Sequence, residues 1–384
     1  MFSLLLPLIY LSFISLGLPD GLLGAAWPSM YTGLGVPVSG AGILSAIICV
    51  GTILSSLATD RLTRRLGTGK VTAISIALTA AALIGFSLSH EFWLLCLMAI
   101  PYGLGAGSVD ASLNNYVALH YSSRHMSWLH CMWGIGAATG PYLISIVLTG
   151  GLSWNLGYQI VGLLQILLAA TVFFSFPLWK NAPGETDRND PPLTLLQTLK
   201  IPGAKEVMVT FFCYCALEQT AALWCGTYLT LHAGLPEEGA AAFASLFFWG
   251  ITLGRAVSGF VTMKLNDTQM IRLGMVIIAF GIVILLLPLS IYSSMVGLLL
   301  VGLGCAPIYP CIMHATPTHF GAERSQTLMG IQTASAYVGT ALMPPLFGLI
   351  ANHVSISLMG IYLLVILIFM VFAHEGLIKK APSH

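Results

Sequence analysis

Long apolar stretches, separated by short polar or Gly/Pro-rich joints, run along this chain from end to end. Stretches such as Met275–Leu287 and Leu358–Ala373 show neither the two-residue alternation of a half-buried strand nor the polar face of a soluble helix. In lipid only a helix satisfies its own backbone within one segment, so each stretch reads as a transmembrane helix. Spans of about 20–25 residues fall at 4–30, 39–59, 70–89, 92–119, 126–149, 155–179, 206–231, 240–263, 269–291, 294–318, 326–351 and 355–377. The pattern predicts an all-α integral membrane protein with twelve transmembrane helices. The joints are short except for the polar stretch Lys180–Lys205, which carries Glu185, Asp187, Arg188, Asp190, Pro191 and Pro192. It reads as a linker, 180–205, between an N-terminal six-helix half (1–179) and a C-terminal one (206–384). The first stretch lacks a basic n-region and runs past Pro19 to Met30, which suits an uncleaved span better than a signal peptide.

Composition agrees and removes alternatives. Of 384 residues, 57% are hydrophobic before 40 glycines are added, and 8% are charged, where a soluble domain carries about 25%. The mean hydropathy of +0.89 is too high for a membrane barrel, whose residues alternate. With 15 Lys and Arg against 14 Asp and Glu there is no basic face for nucleic acid. The eight cysteines (Cys49, Cys96, Cys131, Cys213, Cys215, Cys225, Cys305 and Cys311) sit in apolar runs without CxxC or zinc spacing and read as small buried hydrophobes. No HExxH, GxSxG or acidic metal motif points to an enzyme, a metal or a cofactor, and nothing resembles a channel's selectivity filter.

The basic residues orient the spans. Arg61, Arg64, Arg65 and Lys70 lie between spans 2 and 3, Arg124 between 4 and 5, and Lys180, Arg188, Lys200 and Lys205 around the linker. Lys264, Arg272, Arg324, Lys379 and Lys380 fit the same side, whereas the opposite joints carry Glu91, Glu237 and Glu238 and no Lys or Arg. Both termini are therefore expected in the cytoplasm, in a multi-pass protein of the bacterial inner membrane. The halves also repeat. Offsetting the chain by 203 residues lays Gly51, Ser55 and Thr59 on Gly254, Ser258 and Thr262, and Gly136 and Pro141 on Gly339 and Pro344. Two pseudo-symmetric parallel halves around a central pathway are the organisation of a secondary transporter.

Several motifs resemble those of the major facilitator superfamily. Asp60-Arg61-Leu62-Thr63-Arg64-Arg65-Leu66-Gly67, placed in the loop after span 2, is similar to its acidic–basic loop motif. Gly136-Ala137-Ala138-Thr139-Gly140-Pro141 resembles its glycine–proline motif in span 5. Leu18-Pro19-Asp20-Gly21, the stretch Gly105–Asn114, Phe212-Cys213-Tyr214 leading to Trp224, and Ala306-Pro307-Ile308-Tyr309-Pro310 resemble the fucose–proton symporter branch and its glucose-transporting relatives. The resemblance implies the major facilitator fold, and it implies proton coupling and sugar binding at acids in spans 1 and 4. Those acids map onto Asp20 and Asp110, while Glu218 is an additional acid within a span.

An ionisable group near mid-membrane costs from about 2.5 to over 10 kcal/mol, so each one asks for a function or a partner. Asp20, Asp110, Glu218 and Arg255 stand near the middle of their spans. A static ion pair with Glu218 accounts for Arg255. Asp20, Asp110 and Glu218 are the candidate proton-coupling groups. Asn114 follows Asp110 by one helical turn and offers its amide either to a hydroxylated ligand or to a neighbouring helix. His130 and Trp133 share a face of span 5, where an indole can stack on a sugar's C–H face and a histidine can serve structure alone. With Asp20 these form the substrate-binding set, which Gln219, Trp224, His314, Gln332 and Tyr337 extend from span positions that resemble the branch's pocket helices. Asp60, Arg61, Arg64 and Arg65 form either a cytoplasmic gate or a solvated charge cluster. Pro19, Pro307, Pro310 and Pro317 are expected to bend spans 1 and 10.

The expected function is proton-coupled symport of a small neutral solute such as a monosaccharide, by alternating access. A proton-driven exporter of drug- or lipid-like substrates, or sodium-coupled sugar uptake, would use the same fold. The expected partners are the solute, a proton or sodium ion and the bilayer, with no nucleic acid and a monomeric chain.

Overall fold

The computed structural model describes residues 4–37, 40–179, 193–232, 234, 250–287 and 291–381. Residues 180–192 of the expected linker, the acids Glu237 and Glu238, and positions 240–249 of the expected eighth span lie outside the described residues. Every regular element among the described residues is a helix. They fall into two compact units, Met1–His120 with Leu129–Pro192, and Tyr121–Trp128 with Leu193–His384. The first unit contains α1 (Leu5–Gly17), α2 (Leu22–Met30), α3 (Gly40–Leu66), α4 (Thr68–Leu88), α5 (Phe92–His120), most of α6 (Ser123–Thr149) and α7 (Trp154–Phe174). The second contains the start of α6, the short α8 (Leu195–Thr198), α9 (Ala204–Leu231), α10 described at 250–261, α11 (Asp267–Leu286), α12 (Ile291–Cys305), α13 (Ile308–Phe320), α14 (Ala322–His353) and α15 (Met359–Lys380). Among the described residues, 11 helical spans are long and apolar enough to cross a membrane, and α10 stands where the eighth span was expected.

The boundaries depart from expectation where local chemistry overrides apolar pattern. Span 1 is two helices, α1 and α2, because Pro19 has no N–H to continue the ladder. Around it the Asp20 N–H turns back to the Gly17 carbonyl and the Leu22 N–H to the Pro19 carbonyl, both at 3.1 Å. Span 10 breaks likewise between α12 and α13 at Ala306–Pro307. Asp60–Leu66 is the last two turns of α3 and not a loop. Asp60 and Arg64 pair one turn apart, Arg64 and Arg65 favour the negative helix end, and Gly67 stops the helix at φ 79°. Span 6 stops at Phe174, short of the expected 179, and Phe176–Leu178 around Pro177 tightens to a 3₁₀ turn.

The packing inverts that of a water-soluble bundle. Leu167, Phe174, Phe280 and Phe372 point outward, while Thr59, Ser112, Asn114 and Gln332 are fully buried. Many hydroxyls within the spans are satisfied locally: Thr52, Thr59, Thr63, Thr72 and Thr79 each donate to the carbonyl four residues back. Small residues then let backbones touch. A Cβ at Gly17 would strike the Trp133 carbonyl oxygen, one at Gly136 that of Ile14, and one at Gly140 that of Leu18. Helices α1 and α6 therefore cross backbone to backbone. In the second unit Gly339 of α14 rests on the Phe212 carbonyl of α9, so the repeated glycine performs the same task in each half.

Gly136→Ala should consequently lower stability by about 1–3 kcal/mol, the usual cost of overpacking. Gly24, with open space around it, should accept Ala neutrally or gain up to about 1 kcal/mol of helix propensity. Thermal melts of the two purified variants check this; equal melting temperatures would mean that the α1–α6 crossing is not tight.

Candidate functional site

The break between α1 and α2 places Asp20 in the turn between the two helices and leaves it exposed. Its carboxylate accepts a hydrogen bond from the Trp133 indole N–H of α6 at 2.9 Å and another from the Tyr102 hydroxyl of α5 at 3.3 Å. The glycine contacts make this possible, because Trp133 lies in the turn whose carbonyl touches Gly17. A carboxylate held by two donors keeps lone pairs for further hydroxyl donors, and an indole edge-anchored in this way has its orientation fixed.

One turn before Trp133 on the same helix, His130 begins a second, buried chain. Its Nε2 lies 3.0 Å from the Asn114 side-chain oxygen, and the Asn114 amide nitrogen donates to the Asp110 carboxylate at 2.8 Å and to the Asp110 carbonyl at 3.0 Å. Since the carboxylate only accepts, the amide nitrogen faces Asp110 and the amide oxygen faces His130, which makes Nε2 the protonated ring nitrogen. The Phe13 ring stands edge-on to His130 at 5.4 Å, closing the apolar side. Asp110, Asn114 and His130 are all buried. Such a chain joins α5 to α6 through buried side-chain hydrogen bonds.

In the second unit Arg255 of α10 donates through Nη2 to Glu218 Oε2 at 3.4 Å and to the Tyr214 hydroxyl at 3.3 Å. Tyr214 itself donates to Glu218, one turn further along α9. All three are buried, so the charges compensate where water cannot. The other candidates of this unit are spread over separate contacts. The Trp224 N–H donates to the Pro344 carbonyl at 3.0 Å, and the Gln332 amide lies 3.1–3.2 Å from the Thr316 hydroxyl. His314 faces Asp267 at 2.6 Å, while Gln219 and Tyr337 are half-buried. Of the gate residues, Arg64 bonds Asp60 on its own helix at 3.0 Å, and Arg61 and Arg65 are exposed.

Three participants were given no role from the sequence. Tyr214 had a signal, standing four residues before Glu218 on the same face. Tyr102 had none, because it meets Asp20 across 82 positions. Asp267 looks like an ordinary first-turn acid beside the Asn266–Gln269 capping box.

Comparison with known proteins follows the same line. The Major Facilitator Superfamily model matches residues 9–244 and 207–382. The chain is 26% identical over 310 residues to the glucose/mannose transporter GlcP of Bacillus subtilis (strain 168), covering 76% of this chain and 73% of that one. It is similar in structure to FucP, a Major Facilitator Superfamily transporter in the outward conformation, with TM-score 0.79 and 14% identity over 96% of this chain and 98% of that one. A second structure, of the E. coli fucose:proton symporter FucP, gives TM-score 0.76 at 14% identity, covering 97% and 99%. At these identities the structural likeness speaks for the fold.

Neutralising Glu218 or Arg255 alone should cost about 3–5 kcal/mol, because the remaining charge is stranded. Neutralising both should recover part of that loss. A double-mutant cycle read by thermal unfolding decides it, and strictly additive losses would show that the two groups do not act as partners.

Proposed function

The chain belongs to the Major Facilitator Superfamily and is a multi-pass membrane transporter, and from that premise we propose that it carries a monosaccharide inward together with a proton. The observation behind this reading is the exposed Asp20 carboxylate, braced by Trp133 and Tyr102, one turn along α6 from the buried Asp110–Asn114–His130 chain. A sugar needs acceptors for its hydroxyls and an aromatic face for its C–H side, and Asp20 with Trp133 offers both. The names of GlcP and FucP point to the same substrate class.

Asp110 is the coupling acid in this reading. Its carboxylate receives an N–H from Asn114, which suits an acid that takes up a proton better than one caging a metal cation among oxygens. Binding a proton there changes what Asn114 and His130 must do, and α6 passes the change to Trp133. Glu218 serves as the counter-charge of Arg255, and the half-buried Gln219 and Tyr337 are the second unit's candidate sugar contacts. The chain divides into six-helix halves at 180–205, with both termini in the cytoplasm.

Uptake into proteoliposomes against a sugar panel, under imposed pH and sodium gradients, tests the reading. Asp110→Asn keeps shape and hydrogen bonding but stays neutral, so it should still bind and exchange solute while losing pH-driven accumulation. Asp20→Asn should weaken solute binding about tenfold or more, the worth of a hydrogen bond to a charged group. Full accumulation by Asp110→Asn, or accumulation driven by sodium alone, would overturn the coupling scheme. A cysteine at Gly33 should react with impermeant reagents from outside and one at Arg64 should not.

A further inference from the structure

Residues 121–128 leave the first unit's run of chain and pack as part of the second. Two anchors hold this strap. At one end Trp128 donates its indole N–H to the Ala256 carbonyl of α10 at 3.2 Å and meets Phe260 at 5.4 Å between rings, with Gly259 leaving room for it. At the other end the Tyr121 carbonyl oxygen lies 3.2 Å from His314 Nε2 of α13, and Ser123 donates to Asp267 Oδ1 of α11. The opposite ring nitrogen, His314 Nδ1, lies 2.6 Å from Asp267 Oδ2.

The proton count of this arrangement is informative. A backbone carbonyl and a carboxylate only accept, so an imidazole between them satisfies both solely when each nitrogen contact contains a proton. Whether the shared proton rests on His314 or on Asp267, the pair holds one proton more than a neutral imidazole beside a carboxylate. Remove it and one N–H remains for two acceptors. The carboxylate retains that N–H, because charge-assisted hydrogen bonds are the stronger. The bare Nε2 lone pair then faces the Tyr121 oxygen, and the contact is repulsive. The His314 and Asp267 side chains are 20% and 16% exposed, enough for water to deliver and collect the proton.

We propose that His314 and Asp267 form a second proton-binding site, distinct from the Asp110 chain, whose occupancy fastens the strap 121–128 and whose emptying releases its Tyr121 end. The Trp128 hydrogen bond to the Ala256 carbonyl contains no titratable group, so the release is confined to the Tyr121 end, although the His125 ring stands edge-on to both Tyr121 and Trp128 at 5.7 and 5.6 Å. Other ionisable groups in reach are Cys311, which adjoins Asp267 and Ser123, and His319, which lies within range of Asp267 and bonds the Ala381 carbonyl. Arg124 and His125 lie on the strap itself. The site does not depend on which solute is transported.

Hydrogen–deuterium exchange of the full-length purified protein in detergent, without any solute, reads the strap directly. After correction for the intrinsic rate, amides of 121–128 should exchange at least threefold faster at pH 8 than at pH 5.5. His314→Gln should abolish that ratio while leaving exchange in α4 unchanged, and Asp267→Asn should abolish it or move it to lower pH. His319→Gln should keep the ratio. A wild-type strap equally protected at both pH values, a His314→Gln variant that still responds, or loss of the response in His319→Gln would each overturn the proposal. Should His314→Gln fail to fold, the wild-type comparison and Asp267→Asn decide alone.

Discussion

Hydrocarbon offers no hydrogen bonds, and almost every feature of this molecule follows from that refusal. Each span must close its own ladder, so a proline that opens one has to be answered by a turn, as at Asp20 and Leu22. A buried hydroxyl gains by donating to a carbonyl of its own helix, and threonines of α3 and α4 do so four residues back. A buried charge needs a counter-charge or neutral donors, which is why Glu218, Tyr214 and Arg255 collect in one place and why Asn114 donates to Asp110. Polar groups inside the protein are thus compelled into networks. Leu and Phe, with nothing to satisfy, cover the outside.

The second constraint is how closely backbones approach. Burying apolar area does not draw helices together in lipid, because the tails are as apolar as the side chains. Contact between α1 and α6 depends on Gly17, Gly136 and Gly140, which let carbonyl oxygens occupy the space of missing Cβ atoms. That crossing brings Trp133 to Asp20 and sets Phe13 of α1 edge-on against His130. The meeting of Trp133 with Asp20 is therefore a consequence of where three glycines stand.

The spans were legible because lipid demands a long apolar run, and the breaks at Pro19 and Pro307 because a missing N–H is a property of one residue. The end of α3 was not, since Asp60, Arg61, Arg64 and Arg65 look like a loop until their one-turn spacing and helix-end charge are weighed against their polarity. Asp110 and Asn114 lie one turn apart, so their meeting was readable from numbering. The Tyr102–Asp20 contact depends on how α5 packs beside α1, which no local pattern encodes. Asp267 stayed hidden for a different reason: an acid in the first turn of a helix already has an ordinary explanation.

The two helix breaks fall in different places of the repeat. In the first unit the opening span is interrupted, at Pro19, while the fourth runs unbroken as α5 despite Pro101. In the second unit the opening span, α9, is continuous, and the fourth is the one divided at Pro307. A duplicated bundle that has moved its joint from one helix to another has lost the equivalence of its copies. The two units then carry their joints beside different neighbours, Asp20 in one and Tyr309 in the other. A substitution beside Pro19 therefore has no symmetry-related counterpart beside Pro307, because the helix equivalent to each broken one is continuous.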